Sequence, residues 1–495
     1  MTKPTKEVRV LAFDFGASSG RAILGLFRDG KIRLQEVHRF ANEPVSVGGT
    51  IYWDTLRQFH EIRQGLTLAQ QAGGFSSVGI DTWGVDFGLL GQDDALLENP
   101  VHYRDKRTNG LLEESFQTLS REKQYGITGI QFMELNTLYQ LLALKKYRPH
   151  ILEQARTLLM MPDLFAFMLT GKKTTEFSIA TTSQLVDIRR GDWSAELLEA
   201  FDLPRRLLCD IVPSGTVLGD ILPDICADCN IPAPVPVISV CEHDTQSAIT
   251  AVPCAQQDFV FLSSGTWSLF GTELPAPIVN ESSLAMNITN EGGYGGATGF
   301  LKNIIGLWLI QESRRQFARE GMEYSYAELE ALALQAEPLS RFIDPDAPEF
   351  VPHGNIPQRV RDFCARTGQS VPQSVGEVMR CIYESLAMKY RYTFENLCRC
   401  TGKDYPAIHV IGGGVKDTFL CQLTANACER PVFAGPIEAT VLGNIAVQLL
   451  AMGELKDIAD ARACIARSVS PTEYHPLESA QWKKAYGRFL GCLES

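Results

Sequence analysis

Residues 9–24 read RVLAFDFGASSGRAIL: an apolar run, a tight turn of Gly, Ala and Ser residues, and a second apolar run. Residues 259–272 follow the same plan as FVFLSSGTWSLFGT. Two apolar runs joined by turn residues predict a β-hairpin in each segment. The segments lie about 250 residues apart in a chain of 495, as expected if each half of the chain begins one domain of a duplicated architecture.

Strand-like and helix-like segments alternate through the rest of the chain. The patterns predict strands at 31–40 and 408–414, two strands within 78–90, and helices at 54–72, 134–148, 150–170, 374–400, 417–428 and 437–453. Asp54 or Thr55 is the expected cap of the first helix. This alternation favours an α/β fold with a central sheet. Because a single core stops growing well below this length, we expect two domains, at residues 1–252 and 253–495.

The composition excludes several classes of partner. A formal net charge of −12 argues against a nucleic-acid surface, which would need a basic balance or a clustered basic stripe. No run of about 18 uncharged apolar residues occurs, so no membrane span is expected. The N-terminal segment lacks a signal peptide's pattern, since its apolar run is brief and broken by Asp14. We therefore expect a cytoplasmic protein with small-molecule partners, and both a monomer and a homodimer remain open.

Four glycine-rich turns are candidates for holding phosphate groups, because glycine lets backbone N–H groups approach an anion closely. They are residues 16–20 (followed by Arg21), 263–266, 292–296 and 412–414. The chain has no P-loop motif and no strict G-x-G-x-x-G after a strand, so neither of those sites is predicted. Each turn alone is more typical of a structural hairpin. Four turns, two of them at matching places in the halves, favour a nucleotide held between duplicated domains.

Asp14 interrupts the apolar strand that precedes the first turn. Burying a carboxylate is unfavourable unless it is paired or coordinates a cation. Near phosphate groups its natural partner is Mg²⁺, so Asp14 is a candidate metal ligand. A hydrogen bond to the backbone of its own turn is an equally good interpretation.

Residues 241–249, CEHDTQSAI, place three ionisable side chains between a predicted buried strand and an apolar helix. Local sequence favours helix capping by Asp244 or Thr245, and a lone histidine such as His243 is more often structural than catalytic. A cap, however, needs one oxygen and does not need Glu242, His243 and Asp244 together. The segment is therefore a candidate catalytic site as well as a cap.

Seven motifs follow one another from about residue 8 to residue 450: DFGASSGR, DTWGVDF (81–87), YRDKRTNG (103–110), EHDT (242–245), SSGTWSL (263–269), NEGG…LKNIIGLWL (290–309) and IGGGVKD…GPIEATVLGN (411–444). In this combination and order they resemble the FGGY family of carbohydrate kinases. The resemblance implies two actin-like, ribonuclease-H-like domains with an active-site cleft between them, an N-terminal one for the sugar and a C-terminal one for the nucleotide.

The resemblance also implies roles for individual residues. Asp244 is the expected general base. The residues expected to bind the nucleotide are Ala17, Ser18, Ser19, Gly20, Arg21, Thr266, Gln311 and Gly413. The residues expected to contact the sugar are Gly84, His243, Asp244, Thr245 and Asn303, with Arg104, Asp105 and Arg107 as further candidates for the sugar pocket.

The implied substrates are ATP, with Mg²⁺, and a ketose. Within the family the resemblance is greatest to members that act on L-rhamnulose, so phosphorylation at O1 is expected, with L-fuculose or a pentulose as the alternative. An actin-like interaction protein is a further alternative, although it would not need the H-D-T, DTWGVDF and YRD motifs.

Two positions depart from the family's usual pattern. Glu242 and Gln246 stand where a serine and an alanine commonly flank the H-D-T triplet, which leaves the identity of the ketose open. Cys364 and Cys381 lie where the family can carry a cysteine pair. We expect both to be reduced in a cytoplasm.

Overall fold

The computed structural model describes residues 7–254, 256 and 258–493. The chain divides into two compact units. The first takes in residues 1–255, 273–300 and 439–469, and the second takes in 256–272, 301–438 and 470–495. Each unit is therefore assembled from separate stretches of the chain.

The strands are numbered in chain order. They are β1 Val8–Phe15, β2 Ser19–Arg28, β3 Lys31–Ala41, β4 Val45–Val47, β5 Thr50–Tyr52, β6 Val78–Thr82, β7 Phe87–Leu90, β8 Thr157–Met160, β9 Thr175–Glu176, β10 Val186–Asp187, β11 Asp192–Trp193, β12 Ile211–Val212, β13 Thr216–Asp220, β14 Pro236–Ser239, β15 Val260–Ser264, β16 Trp267–Leu274, β17 Thr289–Gly292, β18 Thr298–Ile305, β19 Ile408–Ile411, β20 Val432–Ala434 and β21 Thr472–Tyr474.

The α-helices are numbered in the same way. They are α1 Thr55–Gln71, α2 Leu111–Thr118, α3 Arg121–Thr128, α4 Thr137–Tyr147, α5 Pro149–Gln154, α6 Met161–Thr170, α7 Phe177–Thr182, α8 Ala195–Ala200, α9 Pro223–Asp228, α10 Asp244–Thr250, α11 Glu281–Ala285, α12 Trp308–Arg319, α13 Tyr326–Gln335, α14 Ile356–Arg366, α15 Val375–Thr401, α16 Thr418–Cys428, α17 Ala439–Ala451, α18 Ile458–Ser468 and α19 Ser479–Cys492.

The first unit is built on a six-stranded sheet with the order β13-β14-β6-β1-β2-β3. Strands β1 and β2 form the predicted hairpin, with Phe15 opposite Gly20, and β1 pairs in parallel with β6. One face of this sheet is covered by α1, whose Ile62 and Leu66 are fully buried with Phe13. Each such side chain contributes roughly 1.5–3 kcal/mol through removal from water.

The second unit repeats this arrangement. Its sheet contains β18, β16, β15, β19, β20 and β21 in that order. Strands β15 and β16 form the second predicted hairpin, and β15 pairs in parallel with β19. In both units, therefore, the first strand of a hairpin lies between its antiparallel partner and a parallel strand. The prediction of an α/β fold with a hairpin beginning each half is confirmed.

Most predicted helices are confirmed within a few residues. Asp54 caps α1 by accepting from the Arg57 N–H, and Ser374 caps the long helix α15. The predicted helix at 150–170 is wrong, because strand β8 separates α5 from α6. Strand β8 is buried along its whole length and pairs with β7, and a short buried strand has no periodicity that distinguishes it from a buried helix.

In the described part of the chain, no helix is both long enough and apolar enough to cross a membrane.

Helix α17 packs closely against α10 through a glycine. A Cβ built on Gly443 would lie 1.8 Å from the backbone oxygen of Ser247, so this contact between the two helices leaves no room for a side chain. We predict that Gly443→Ala lowers the free energy of unfolding by about 1–3 kcal/mol, because the backbones must move apart.

Gly487→Ala is the matched control. Gly487 lies exposed within α19, and a Cβ built on it would have nothing within 4 Å, so alanine there should stabilise the protein by about 0.5–1 kcal/mol. Denaturant unfolding of both variants measures the difference. Equal effects of the two substitutions would contradict the close approach at Gly443.

Candidate active site

The first predicted phosphate turn lies at the tip of the β1–β2 hairpin. Ala17 and Ser18 are exposed, Ser19 is half-buried and Gly20 is buried. The turn is closed by the Gly16 N–H, which donates to the Ser19 oxygen at 2.9 Å. These residues present backbone at an exposed hairpin end, as the phosphate interpretation requires.

Asp14 lies at the base of this turn and is buried. Its Oδ2 accepts from the guanidinium of Arg21, so the carboxylate is ion-paired across the hairpin. The structure thus brings together two of the predicted residues, Asp14 and Arg21, on neighbouring strands. The partner observed for Asp14 is therefore a side chain of the next strand. The two partners considered from the sequence were a metal ion and the backbone of its own turn, and the binding of a metal ion stays a prediction.

Asp81 stands directly beside Asp14, because the two residues are partners in the parallel pairing of β1 with β6. Its side chain is fully buried, and its Oδ2 accepts from Asn444 Nδ2 of α17 at 2.6 Å. Its Oδ1 is buried and has no hydrogen-bond partner among the described residues. Burial raises the pKa of Asp81 well above its ordinary value, and the negative charges of Asp14 and Asp244 raise it further.

Asp244 is the first residue of α10, which follows β14 after a short loop. The N-cap position belongs to His243, whose side chain makes no capping hydrogen bond, so the capping interpretation of this segment is wrong. The side chain of Asp244 is 32 % exposed and accepts from Thr245 Oγ1 at 3.2 Å. Burial raises the pKa of Asp244, the positive charge of His243 lowers it, and Asp14 raises it again, so that the net direction is upward.

Asp14, Asp81 and Asp244 are therefore near enough to repel one another. In the described ranges of the chain, no group of three or more acidic, histidine or cysteine side chains has the geometry to hold a metal ion alone. Of the two carboxylates on neighbouring strands, Asp14 is more exposed than Asp81 and is the one that a cation could reach. A magnesium ion here would take its remaining ligands from phosphate oxygens and water, as it usually does.

The other predicted sugar residues lie in the same unit, with one exception. Gly84 follows β6 and packs against Thr182, since a Cβ on it would lie 3.0 Å from Thr182 Cγ2. His243 and Thr245 are buried on either side of Asp244. Asn303 is half-buried on β18 in the second unit.

A buried carboxylate organises the loop that contains the further pocket candidates. Asp86 accepts from the indole N–H groups of Trp53 (2.6 Å) and Trp83 (3.0 Å) and from the Tyr103 N–H (3.1 Å). Burial raises the pKa of Asp86 to about 6. Gln140 also donates to Asp86, at 2.9 Å.

The three charged candidates of the YRDKR motif have different partners. Arg107 donates to Gln140 at 2.6 Å, Asp105 accepts from the Ile51 N–H at 3.0 Å, and Arg104 contacts the ring and hydroxyl of Tyr103. Arg107 and Asp105 therefore hold the loop in place.

In the second unit, three turns meet around the hairpin β15–β16. Thr266 Oγ1 donates to Gln311 Oε1 of α12 at 3.3 Å, so two predicted nucleotide residues are in contact. The Leu307 N–H donates to the Gly265 oxygen at 3.0 Å. A Cβ on Gly414 would lie 2.0 Å from Ser264 Oγ, so the turn 412–414 approaches the hairpin directly, while a Cβ on Gly413 beside it would have nothing within 4 Å.

Comparisons with known proteins agree with this arrangement. The family model of the FGGY carbohydrate kinases' N-terminal domain matches residues 9–251, and that of their C-terminal domain matches residues 260–452. The chain belongs to the FGGY family of carbohydrate kinases. The predicted family resemblance and the α/β kinase fold are both confirmed.

Similar proteins span the whole chain. A rhamnulokinase of Bacteroides thetaiotaomicron is 43% identical over 97% of this chain and 99% of its own length. A rhamnulokinase of Oceanobacillus iheyensis is 41% identical over 92% and 96%. A solved xylulose kinase of Lactobacillus acidophilus aligns with a TM-score of 0.82 at 18% identity, covering 97% of both chains. At that identity the structural likeness concerns the fold alone.

Within this FGGY kinase, sequence reasoning missed several residues beneath the H-D-T segment. Asp81 lies in the DTWGVDF motif, but no role was predicted for it. Glu242 is fully buried, and its Oε1 accepts from Ser239 Oγ at 2.9 Å. Its backbone N–H donates to Glu176 at 3.2 Å. No local pattern links Glu242 to its buried neighbours Asp163 and Glu176, because those two residues come from a different part of the chain.

Glu242 and Asp163 are both buried, and their carboxyl groups interact electrostatically. Neither Glu242 Oε2 nor Asp163 Oδ2 has a hydrogen-bond partner among the described residues. Two neighbouring buried carboxyl groups do not readily ionise together, because burial and like charge both disfavour the charged form. Burial, with the charges of Asp163 and Glu176, raises the pKa of Glu242 well above its ordinary value, and burial also raises the pKa of Asp163.

We predict that the stability of Glu242→Gln falls less with rising pH than the stability of the wild type does. The folded state binds the proton of Glu242 more tightly than the unfolded chain does. The stabilisation is therefore complete below the unfolded pKa of about 4.3 and is lost as pH rises through the raised folded pKa. Glutamine mimics the protonated acid at every pH. The thermal midpoint of the variant should exceed that of the wild type by more at pH 9 than at pH 6, at about 2–4 °C per kcal/mol.

Glu242→Ala is the control, because it leaves a cavity and an unpaired Asp163 and should be less stable at every pH. A wild-type midpoint that falls with pH no faster than that of Glu242→Gln would contradict the raised pKa of Glu242 in the folded protein.

Proposed function

We propose that this carbohydrate kinase transfers the γ-phosphoryl group of ATP to O1 of L-rhamnulose, giving L-rhamnulose 1-phosphate and ADP. The observation that carries the proposal is the similarity to six relatives, each named rhamnulokinase, at 38–43% identity over at least 92% of this chain. The placement of Asp244 supports the same reaction, because its partly exposed carboxylate is available to a sugar hydroxyl.

Asp244 is the general base in this proposal. The sugar O1 attacks the γ-phosphorus, the bond from that phosphorus to the bridging oxygen of ADP breaks, and the O1 proton passes to Asp244. A base whose pKa is raised only by burial and neighbouring charge suffices, because the hydroxyl becomes acidic only as attack proceeds. Asp244 then releases the proton to water.

The remaining residues bind and orient. Ala17, Ser18, Ser19, Gly20 and Arg21 hold the transferred phosphate end of ATP, and Thr266, Gln311 and Gly413 hold the nucleotide. Gly84, His243, Thr245 and Asn303 orient the ketose. Asp14 would hold Mg²⁺ that arrives with ATP, and the ion would supply positive charge to the phosphates. Most of the catalysis is positioning and charge stabilisation, as is usual in phosphoryl transfer.

The proposal includes the setting of the reaction. A net charge of −12 disfavours nucleic-acid partners, so the partners are the ketose and ATP. The enzyme acts in the cytoplasm, as a monomer or a homodimer.

We predict that wild-type protein releases ADP from Mg-ATP fastest with L-rhamnulose. The test is coupled ADP release over a panel of L-rhamnulose, L-fuculose, D- and L-xylulose, D- and L-ribulose and glycerol. Preference for another ketose would keep the kinase and overturn the proposed substrate. Absence of any sugar-dependent turnover would overturn the catalytic proposal.

We predict that Asp244→Asn lowers kcat by about 10²–10⁴-fold, the usual contribution of a general base, while ketose binding by calorimetry persists. Asp202→Asn is the control, because Asp202 is exposed at the end of α8 and pairs with Lys145 on the surface. Asp244→Asn activity within a few-fold of wild type would refute the base assignment.

A further inference from the structure

His243 lies between two carboxylates of the first unit. Its Nδ1 is 3.1 Å from Glu291 Oε2 of β17, and its Nε2 is 3.5 Å from Asp244 Oδ1. The side chains of Glu291 and His243 are 8 % and 10 % exposed, respectively. The contact at Nδ1 lies within ion-pair distance, although its angles are not those of a well-formed hydrogen bond. The arrangement is carboxylate, imidazole, carboxylate, ending at the proposed base.

Independent contacts hold two members of this arrangement, His243 and Glu291. The His243 backbone N–H donates to Ser178 Oγ at 3.1 Å, which holds the main chain and leaves the ring orientation to other groups. Gln246 Nε2 donates to Glu291 Oε2 at 3.1 Å, so the same oxygen that faces the imidazole is held from α10. Gln246, a departure from the family pattern, thus acts on the partner of His243.

The charges around this arrangement determine the protonation of His243. Burial disfavours the charged imidazole, but the negative charges of Glu291, Asp244 and Glu176 outweigh it and raise the pKa of His243. The imidazolium in turn lowers the pKa of Asp244 against the opposite effects of burial and Asp14. Asp81 and Tyr103 also interact electrostatically with Asp244.

We propose that Glu291 is a positioning residue for the catalytic base: through its ion pair with Nδ1 it orients His243 so that Nε2 faces Asp244. Glu291 itself touches neither substrate nor reacting atoms in this scheme. The proposal rests on the proposed function, because it takes Asp244 as the base. Without Glu291, His243 loses its counter-charge and becomes neutral at a lower pH, and Asp244 then loses the cation that keeps it ionised.

The test is the variant Glu291→Gln, which keeps the size of the side chain and removes its charge. We expect the acid limb of the kcat–pH profile to move to higher pH. Below that limb kcat falls about tenfold for each unit that the base pKa rises, while activity recovers toward the wild-type value at higher pH. The profile is measured with whichever ketose the wild-type enzyme uses best.

A second measurement does not depend on turnover. Nuclear magnetic resonance titration of ¹³C,¹⁵N-labelled histidine in the full-length protein, with Asp244 intact, follows the protonation of the His243 ring. The spectrum of His243→Gln assigns the His243 signals. We expect a lower His243 pKa in Glu291→Gln than in wild type. If the wild type phosphorylates no ketose, the proposed function fails, and this titration still decides whether Glu291 controls His243.

Glu273→Gln is the matched control. Glu273 lies in the same unit and forms an ion pair with the buried Arg462 at 2.9 Å, so its loss removes a comparable pair elsewhere. We expect this variant to lose stability without shifting either the kcat–pH profile or the His243 titration. Glu291→Asp retracts the charge by one methylene and should shift both readouts in the same direction by less.

The proposal is overturned if Glu291→Gln lowers kcat equally at every pH and leaves the His243 titration unchanged, because that is the result of a merely structural role. Should Glu291→Gln fail to fold, Glu291→Asp decides: a shifted histidine titration supports the positioning role, and an unshifted one overturns it.

Discussion

The site depends on carboxylates brought together at the ends of neighbouring strands. Parallel pairing of β1 with β6 sets Asp14 directly beside Asp81, and the loop after β14 brings Asp244 into the range of both. Like charges in a poorly solvated place oppose ionisation, so the fold must compensate each one. The compensating groups are Arg21, Asn444 and His243.

Local patterns were enough for much of the fold. The two hairpins, α1 with its cap at Asp54 and the long helix α15 follow from apolar periodicity and turn chemistry, which act over a few residues. Strand β8 was not predictable, because a buried apolar run carries no period. The H-D-T segment was recognised, but its helix begins at Asp244, and nothing in the local sequence separates a cap from a first helical residue.

The residues that support the site could not be predicted from the sequence for a different reason, which is that they lie far along the chain from their partners. Asn444 reaches Asp81 across 363 residues of chain, and Gln448 of the same helix reaches Ser77 across 371. Contacts of this kind depend on which helix face meets which strand end, and that is fixed by packing. The close approach at Gly443 shows the packing constraint that aligns Asn444 with its carboxylate.

Glu242 and Gln246, the two departures from the family's usual pattern, lie beneath the H-D-T segment. Glu242 is buried beneath it with Asp163 and Ser239, and Gln246 lies on the first turns of α10 against Glu291. Gln246 contacts the carboxylate that faces the ring of His243, and Glu242 directly precedes His243 in the chain. Their effect on a bound ketose would therefore be transmitted through the orientation of His243 and Asp244.

The two hairpins share one pairing arrangement but carry different side chains at their strand ends. In the first unit, the strand before the turn carries a carboxylate, Asp14, one residue before its end, beside Asp81 of the parallel strand. In the second unit, the equivalent strand ends in Ser263 and Ser264, and the turn is closed by backbone contacts and by Thr266 with Gln311. A carboxylate suits a cation or a proton, whereas hydroxyl and amide groups suit a polyanion and a neutral nucleoside. The two units therefore have equivalent strand ends that carry different side chains, carboxylates in the first and hydroxyl groups in the second.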